Sequence, residues 1–227
     1  MYRTATALMV CLCSGSCLFP MHAGEIRGVV HVIGGLTKKR VALPGYQMRG
    51  GSPPPPNGEV IDELSRVFVY LEGEVGALKP VTAELTQRDR RFEPEIVAVP
   101  QGSTVSFPNG DPIFHNVFSL SKPKSFDLGS YPLGSARTVR FDHPGAVQVY
   151  CHLHSDMSAL ILVTPNQYYT QPSSDGAFKL VGVPTGSYTI VAWHKSAKPV
   201  RKNIEVKEDG VAEVGFTIPQ DELASHK

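Results

Sequence analysis

Short alternating runs, interrupted at regular intervals by turn residues, constrain this chain more than any other feature of its sequence. Ser103-Thr104-Val105-Ser106-Phe107, Thr138-Val139-Arg140-Phe141 and Ala146-Val147-Gln148-Val149-Tyr150-Cys151 have the period of half-buried strands. Between and beyond them stand Pro100-Gln101-Gly102, Asn109-Gly110-Asp111-Pro112, Pro144-Gly145, Asp175-Gly176 and Pro184-Thr185-Gly186. Each supplies a fixed φ or a cheap positive φ. A recurrence of about ten residues predicts an all-β sandwich. The 21 glycines and 19 prolines in 227 residues agree, because both break helix interiors and argue against a helical bundle.

The strands fall into two groups. Residues 81–164 have room for seven or eight short strands and residues 176–218 for about four more, which puts a boundary near Pro165. Ile26 to Val32 and Val67 to Leu71 also read as strands, and four strands close a sandwich poorly. We therefore expect residues 24–80 to complete the sheet of residues 165–227, with 81–164 inserted between them; a linear arrangement is the alternative. Ile61 to Ser65 reads as a short helical turn. The run from Gly50 to Gly58, with four prolines at its centre, reads as a spacer.

Residues 1–23 read as a secretory leader. Arg3 is the sole charge before Glu25, and Ala5 to Phe19 are apolar but too few to span a bilayer. Cleavage is expected after Ala23, although Met21 at the −3 position is not small. Acylation of Cys17 is disfavoured, because Ser14 stands where such a signal carries a larger aliphatic residue. No later segment has 18 consecutive apolar residues, so no transmembrane helix is expected. Export to the periplasm would remove Cys11, Cys13 and Cys17 with the leader, leaving Cys151 alone in an oxidising compartment. Such a thiol must be buried, catalytic or metal-bound to persist. Loss of Arg3 also equalises basic and acidic residues, so there is no broad basic surface for nucleic acid.

The chemistry is concentrated around that cysteine. Val147, Val149 and Cys151 share one strand parity, which puts the thiol inward at a strand end. His152, His154, Ser155, Asp156 and Met157 follow in the next loop. A thiolate, two imidazoles and a weak thioether make the donor set of a type 1 copper site, which needs one more histidine from elsewhere. His115 is the best candidate, at a junction between the Asn109 to Pro112 turn and the apolar segment Asn116-Val117-Phe118. His152 has the opposite parity to Cys151 and is expected to point away from the metal, toward solvent or a partner. His143 reads as a loop residue.

These residues resemble the cupredoxins of the plastocyanin and amicyanin type, and are similar to periplasmic proteins of methylamine utilisation. The matching elements are Phe92-Glu93-Pro94, Gly102-Ser103-Thr104-Val105, Phe107 to Asp111, His115 to Phe118, Phe141 to Gly145 and Tyr150 to Met157. The resemblance covers residues 81–164, and its Cys-x2-His-x2-Met spacing looks like the short amicyanin loop. It implies a Greek-key sandwich and one copper per chain held by His115, Cys151, His154 and Met157. Asn116 would hold the ligand loop to the strand of His115. Ser174 to Ile190 looks like the carboxypeptidase regulatory, or transthyretin-like, β-sandwich, which implies a smaller accessory domain with a structural or docking role. Within it, Trp193-His194 reads as strand packing with a surface histidine; contact with the copper domain or a redox partner is the alternative.

Absences narrow the function. Tyr150 stands where multicopper oxidases and copper nitrite reductases carry a histidine before the copper cysteine. There is no second His-x-His segment beyond His152-Leu153-His154, and no second cysteine in the loop for a dinuclear site. A Cys-His nucleophile would want an exposed thiolate, whereas Cys151 ends an apolar strand. The expectation is therefore a non-enzymatic periplasmic carrier that shuttles single electrons as a monomer. It would dock transiently with redox proteins of the dehydrogenase or cytochrome c type, with His154 as the solvent-near ligand. Copper binding for delivery with the same ligands is the runner-up, and a purely structural metal site is third.

Overall fold

The computed structural model describes residues 23–37 and 62–218. The expected leader through His22, with Cys11, Cys13 and Cys17, lies outside the described residues, as do the proline-rich run and Ile61. The strands, in chain order, begin with β1 (Ala23–Val32) and, after a 3-10 turn at Leu64–Arg66, β2 (Val67–Leu71). Then come β3 (Thr82–Glu84), β4 (Thr86–Arg88), β5 (Arg91–Glu93), β6 (Ile96–Pro100), β7 (Ser103–Pro108) and β8 (His115–Ser121). They are followed by β9 (Lys124–Tyr131), β10 (Ala136–Phe141), β11 (Gly145–Tyr150) and β12 (Ser158–Thr164). The chain continues through β13 (Tyr169–Thr170), β14 (Ala177–Pro184), β15 (Gly186–His194), β16 (Val200–Val206) and β17 (Val211–Ile218). Apart from that 3-10 turn, the regular structure of the described residues is all β, as the alternating runs predict.

One sandwich faces a five-stranded sheet, ordered β6-β12-β11-β8-β9, against a three-stranded sheet, β10-β7-β3. Side chains of alternating parity fill the space between: Val105 and Phe107 from β7, Val139 and Phe141 from β10, Val147 and Val149 from β11, and Ala159, Ile161 and Val163 from β12. Each fully buried large apolar side chain contributes about 1.5–3 kcal/mol relative to exposure. The chain passes from the first sheet to the second between β6 and β7, where Gly102 takes φ 85°. An L-residue is strained there, and an added Cβ would lie 3.2 Å from Pro80 Cγ.

A second sandwich faces β14-β1-β17 against β13-β2-β15-β16. β1 runs antiparallel to β14 and parallel to β17, and β2 lies antiparallel to both β13 and β15. These two early strands thus pair with strands that follow residue 164. Ile26 and Val30 of β1 pack with Phe178, Phe216, Val69 and Ile190 in one core. Gly28 is required by close approach, since a Cβ there would fall 1.8 Å from the carbonyl oxygen of Val214. Ala23, expected to end the leader, is the first residue of β1 and lies opposite Pro184.

A third apolar cluster joins the two sandwiches. Ile96 and Ala98 of β6 and Leu160 and Leu162 of β12 turn outward from the first sandwich and meet Phe68, Tyr70, Tyr169 and Trp193. Glu95 pairs with Arg66 at 2.5 Å and with Lys195 at 2.5 Å along the edge of this contact. β12 is consequently buried on both faces, which is why it reads as the unbroken apolar run Ala159 to Val163 rather than as an alternating strand.

Candidate metal centre

The site lies at one end of the first sandwich, where β8 begins and β11 ends. Asn109 stitches the loop that delivers His115: its amide donates to the carbonyls of Ile113 (2.8 Å) and Tyr131 (3.0 Å), and its Oδ1 accepts the Asp111 N–H (2.9 Å). An Asn-Gly-Asp-Pro turn is suited to this, because short polar side chains satisfy local backbone groups. Cys151 follows β11 directly and continues the inward parity of Val147 and Val149. The loop then closes on itself. Met157 N–H donates to the His154 carbonyl at 3.0 Å and Cys151 N–H to the Met157 carbonyl at 3.2 Å.

These two segments bring Cys151 Sγ to 3.9 Å from His115 Nδ1 and 3.7 Å from His154 Nδ1. One ligand atom from each of the three residues lies within 4.8 Å of the others. Sulfur and nitrogen bound to one ion at about 2.3 and 2.0 Å would stand roughly 3.5–3.8 Å apart, so the spacing suits a shared first-row metal. The protonation pattern suits it too. His115 Nε2 lies 2.7 Å from Asp111 Oδ2; an ionised carboxylate only accepts, so a neutral imidazole that donates to it from Nε2 has its lone pair on Nδ1. A thiol has one proton for two facing imidazoles, whereas a soft cation would satisfy all three donors.

Exposure grades across the site: His115 is 0% exposed, Met157 1%, Cys151 5% and His154 9%. Burial, reinforced by His115 and Arg90, pushes the His154 imidazole below its usual range and favours its neutral, ligating form. Burial alone would raise the Asp111 carboxyl. The N–H of Arg90, the His115 ring and the N–H of Asp89 outweigh it and hold the group below the usual carboxylate range.

The other expected residues fall as follows. Met157 is buried in the same apolar cluster as Cys151. Asn116 Oδ1 accepts the His152 N–H at 3.3 Å while its amide donates to Asp127 Oδ1 at 2.7 Å, so it ties the ligand loop to β8 and β9. The His152 ring is exposed and stacks on Phe118 with centroids 3.7 Å apart and planes 2° from parallel; its Nε2 stands 3.6 Å from Asp127. His143 is exposed in the turn before β11. The surface histidine expected beside Trp193 is instead buried. His194 Nε2 faces Glu63 Oε2 at 3.2 Å and its Nδ1 accepts the Ser196 N–H at 3.0 Å. Trp193 packs in the cluster that joins the two sandwiches.

Two neighbours of the site are not legible as such in the sequence. Asp111 reads there only as a turn residue, although its place four before His115 was the available signal. Tyr131, opposite His115 in the β8–β9 ladder, is fully buried and donates its hydroxyl to the Phe107 carbonyl at 2.8 Å. Burial pushes its phenol up to about 12, and a Cys151 thiolate acts in the same direction.

No family model matches this chain, and no curated protein matches it. Among solved structures it is similar to a purple cupredoxin from Nitrosopumilus maritimus, with 22% identity over 36% of this chain and 99% of the other, at a TM-score of 0.34. It is similar as well to amicyanin from Paracoccus versutus, with 19% identity over 44% of this chain and 98% of that one, TM-score 0.34. A copper-containing nitrite reductase from Thermus scotoductus SA-01 is matched at 25% identity and TM-score 0.35 over 40% of this chain, which spans about a quarter (24%) of that enzyme's length. The metal reading rests on this chain's own side chains.

Proposed function

We propose that this is an exported type 1 copper protein that carries single electrons between periplasmic redox partners, with one copper per chain held by His115, Cys151, His154 and Met157. The convergence of one buried thiol with two imidazole Nδ1 atoms carries this reading. Copper in such a donor set supplies a one-electron couple that cycles without a change of ligands. The chain's part is to hold those ligands in a packed core. His115 is fixed by Asp111, Cys151 by the inward parity of β11, and the loop from His152 to Met157 by its own backbone bonds and by Asn116. Cys151 sits in one buried apolar cluster with Val117, Tyr131, Val149 and Met157, which keeps bulk water from the thiol.

His154, the most exposed of the four, is the route by which electrons leave. Leu153, next to it in the loop, and Ile113 and Phe114, just before His115 in the chain, are exposed apolar side chains that suit brief docking of a dehydrogenase or cytochrome c type partner. We assign residues 1–23 to the export leader, 81–164 to the copper domain, and 24–80 with 165–227 to a transthyretin-like support. The pairing of β1 with β14 and β17, and of β2 with β15, supports that division. Among the described residues no helix is long and apolar enough to cross a membrane.

Voltammetry of the copper-loaded protein separates carriage from delivery. A carrier gives a reversible one-electron wave and keeps its metal against a Cu(I) chelator. Rapid surrender of copper to the chelator, without a reversible wave, would assign the same ligands to delivery.

A further inference from the structure

Asp111 makes more contacts than a turn residue requires. It is 5% exposed, and both carboxylate oxygens are engaged. Oδ1 accepts the Asp89 N–H at 2.7 Å, while Oδ2 accepts the Arg90 N–H at 2.9 Å and stands 2.7 Å from His115 Nε2. Asp89 and Arg90 form the turn between β4 and β5, and both take positive φ, 51° and 57°. Two consecutive non-glycine residues in the left-handed region cost free energy, and here both of their N–H groups point at one carboxylate. The hairpin, the carboxylate and the imidazole thus form one connected unit. A neutral partner such as a backbone carbonyl would suffice to fix the tautomer of His115. A buried negative charge one imidazole away from a metal does something further: it favours the more highly charged oxidation state.

We propose that Asp111 is a positioning residue of the metal centre that holds the His115 ring with bare Nδ1 toward the metal and biases the couple toward Cu(II). The second part rests on the copper reading given above; the first stands without it. Burial strengthens the effect, because solvent screens the charge little at this depth. A purely structural carboxylate would serve only to hold the β4–β5 turn, and its replacement would change stability without moving the potential.

The test has two arms. In metal-free protein at about pH 8, where imidazoles are neutral, long-range 15N–1H correlation should find His115 as the Nε2–H tautomer with an unprotonated Nδ1. Asp111→Ala should lose that preference. An Nδ1–H or averaged ring in the parent protein, or an unchanged ring in Asp111→Ala, would overturn the positioning role. In copper-loaded protein, Asp111→Asn keeps an acceptor for His115 but removes the charge, and should retain the thiolate band while its midpoint potential shifts upward. An unchanged potential with band and fold intact would overturn the electrostatic role. Should the parent protein show no thiolate band with Cu(II), the copper reading fails, and the tautomer arm still decides what Asp111 does to His115.

Discussion

Cys151 and Met157 enter the site on unequal terms. In the proposed site the thiol would be the donor whose charge transfer to Cu(II) gives an intense visible band, so Cys151→Ser should abolish that band while leaving the sandwich folded. Retention of full colour would remove Cys151 from the ligand set. In the proposed site Met157 would be a weak thioether donor, so Met157→Leu should keep copper and colour but raise the midpoint potential, read by voltammetry. His194 permits a different kind of prediction. Burial pushes its imidazole below the ordinary range, against the opposing pull of Glu63, and its Nδ1 already accepts the Ser196 N–H. The unfolded chain gains protons at about pH 6.5 that the native His194 refuses, so the metal-free protein should lose stability as pH falls through that value. His154, also held low, adds a loss of the same sign. Thermal unfolding between pH 7.5 and 5 checks this. His194→Gln should flatten part of the slope, and an unchanged slope would contradict the assignment.

At the scale of elements, what was legible in the sequence and what was not have separate physical causes. The runs that became β7, β10 and β11 alternate because each has one face in the core and one in solvent, and that period is local information. The expected helical turn at Ile61 to Ser65 is a 3-10 turn at Leu64–Arg66, and the expected donor residues His115, Cys151 and His154 come together. Only the contact of Asp111 with His115, four residues on, is local; its other partners, the N–H groups of Asp89 and Arg90, lie 22 and 21 residues away, and no local pattern reports them. His194 was misread for the same reason: Glu63, which meets it, is 131 residues earlier. β12 carries a testable consequence. Its outward residue Leu162 is 2% exposed because the second sandwich covers it. Leu162→Ala should therefore cost about 2–5 kcal/mol in denaturant unfolding. A solvent-facing position would cost within about 0.5 kcal/mol, and that result would contradict the covered face.

Across the whole molecule, the two sandwiches meet through an apolar seam of Phe68, Tyr70, Trp193, Ile96, Leu160 and Leu162, with Glu95 paired to Arg66 and Lys195 at its edge. Thr37 adds a tie within the second sandwich, its N–H and hydroxyl both donating to Glu63, the residue that faces buried His194. A seam of this kind couples the unfolding of the two sandwiches, so calorimetry should show one cooperative transition; two resolved transitions would contradict the coupling. The seam covers the outward faces of β6 and β12, while the donor cluster lies where β8 begins and β11 ends.

The central claim is that the thiol and two imidazoles gathered at one end of the first sandwich bind copper as a thiolate centre. Its most direct test is titration of the purified protein, from residue 24 onward and with its thiol reduced, with Cu(II) while recording visible absorption. An intense blue band that saturates at one copper per chain is the predicted result. A folded protein that takes up no copper, or takes it up without that band, would contradict it.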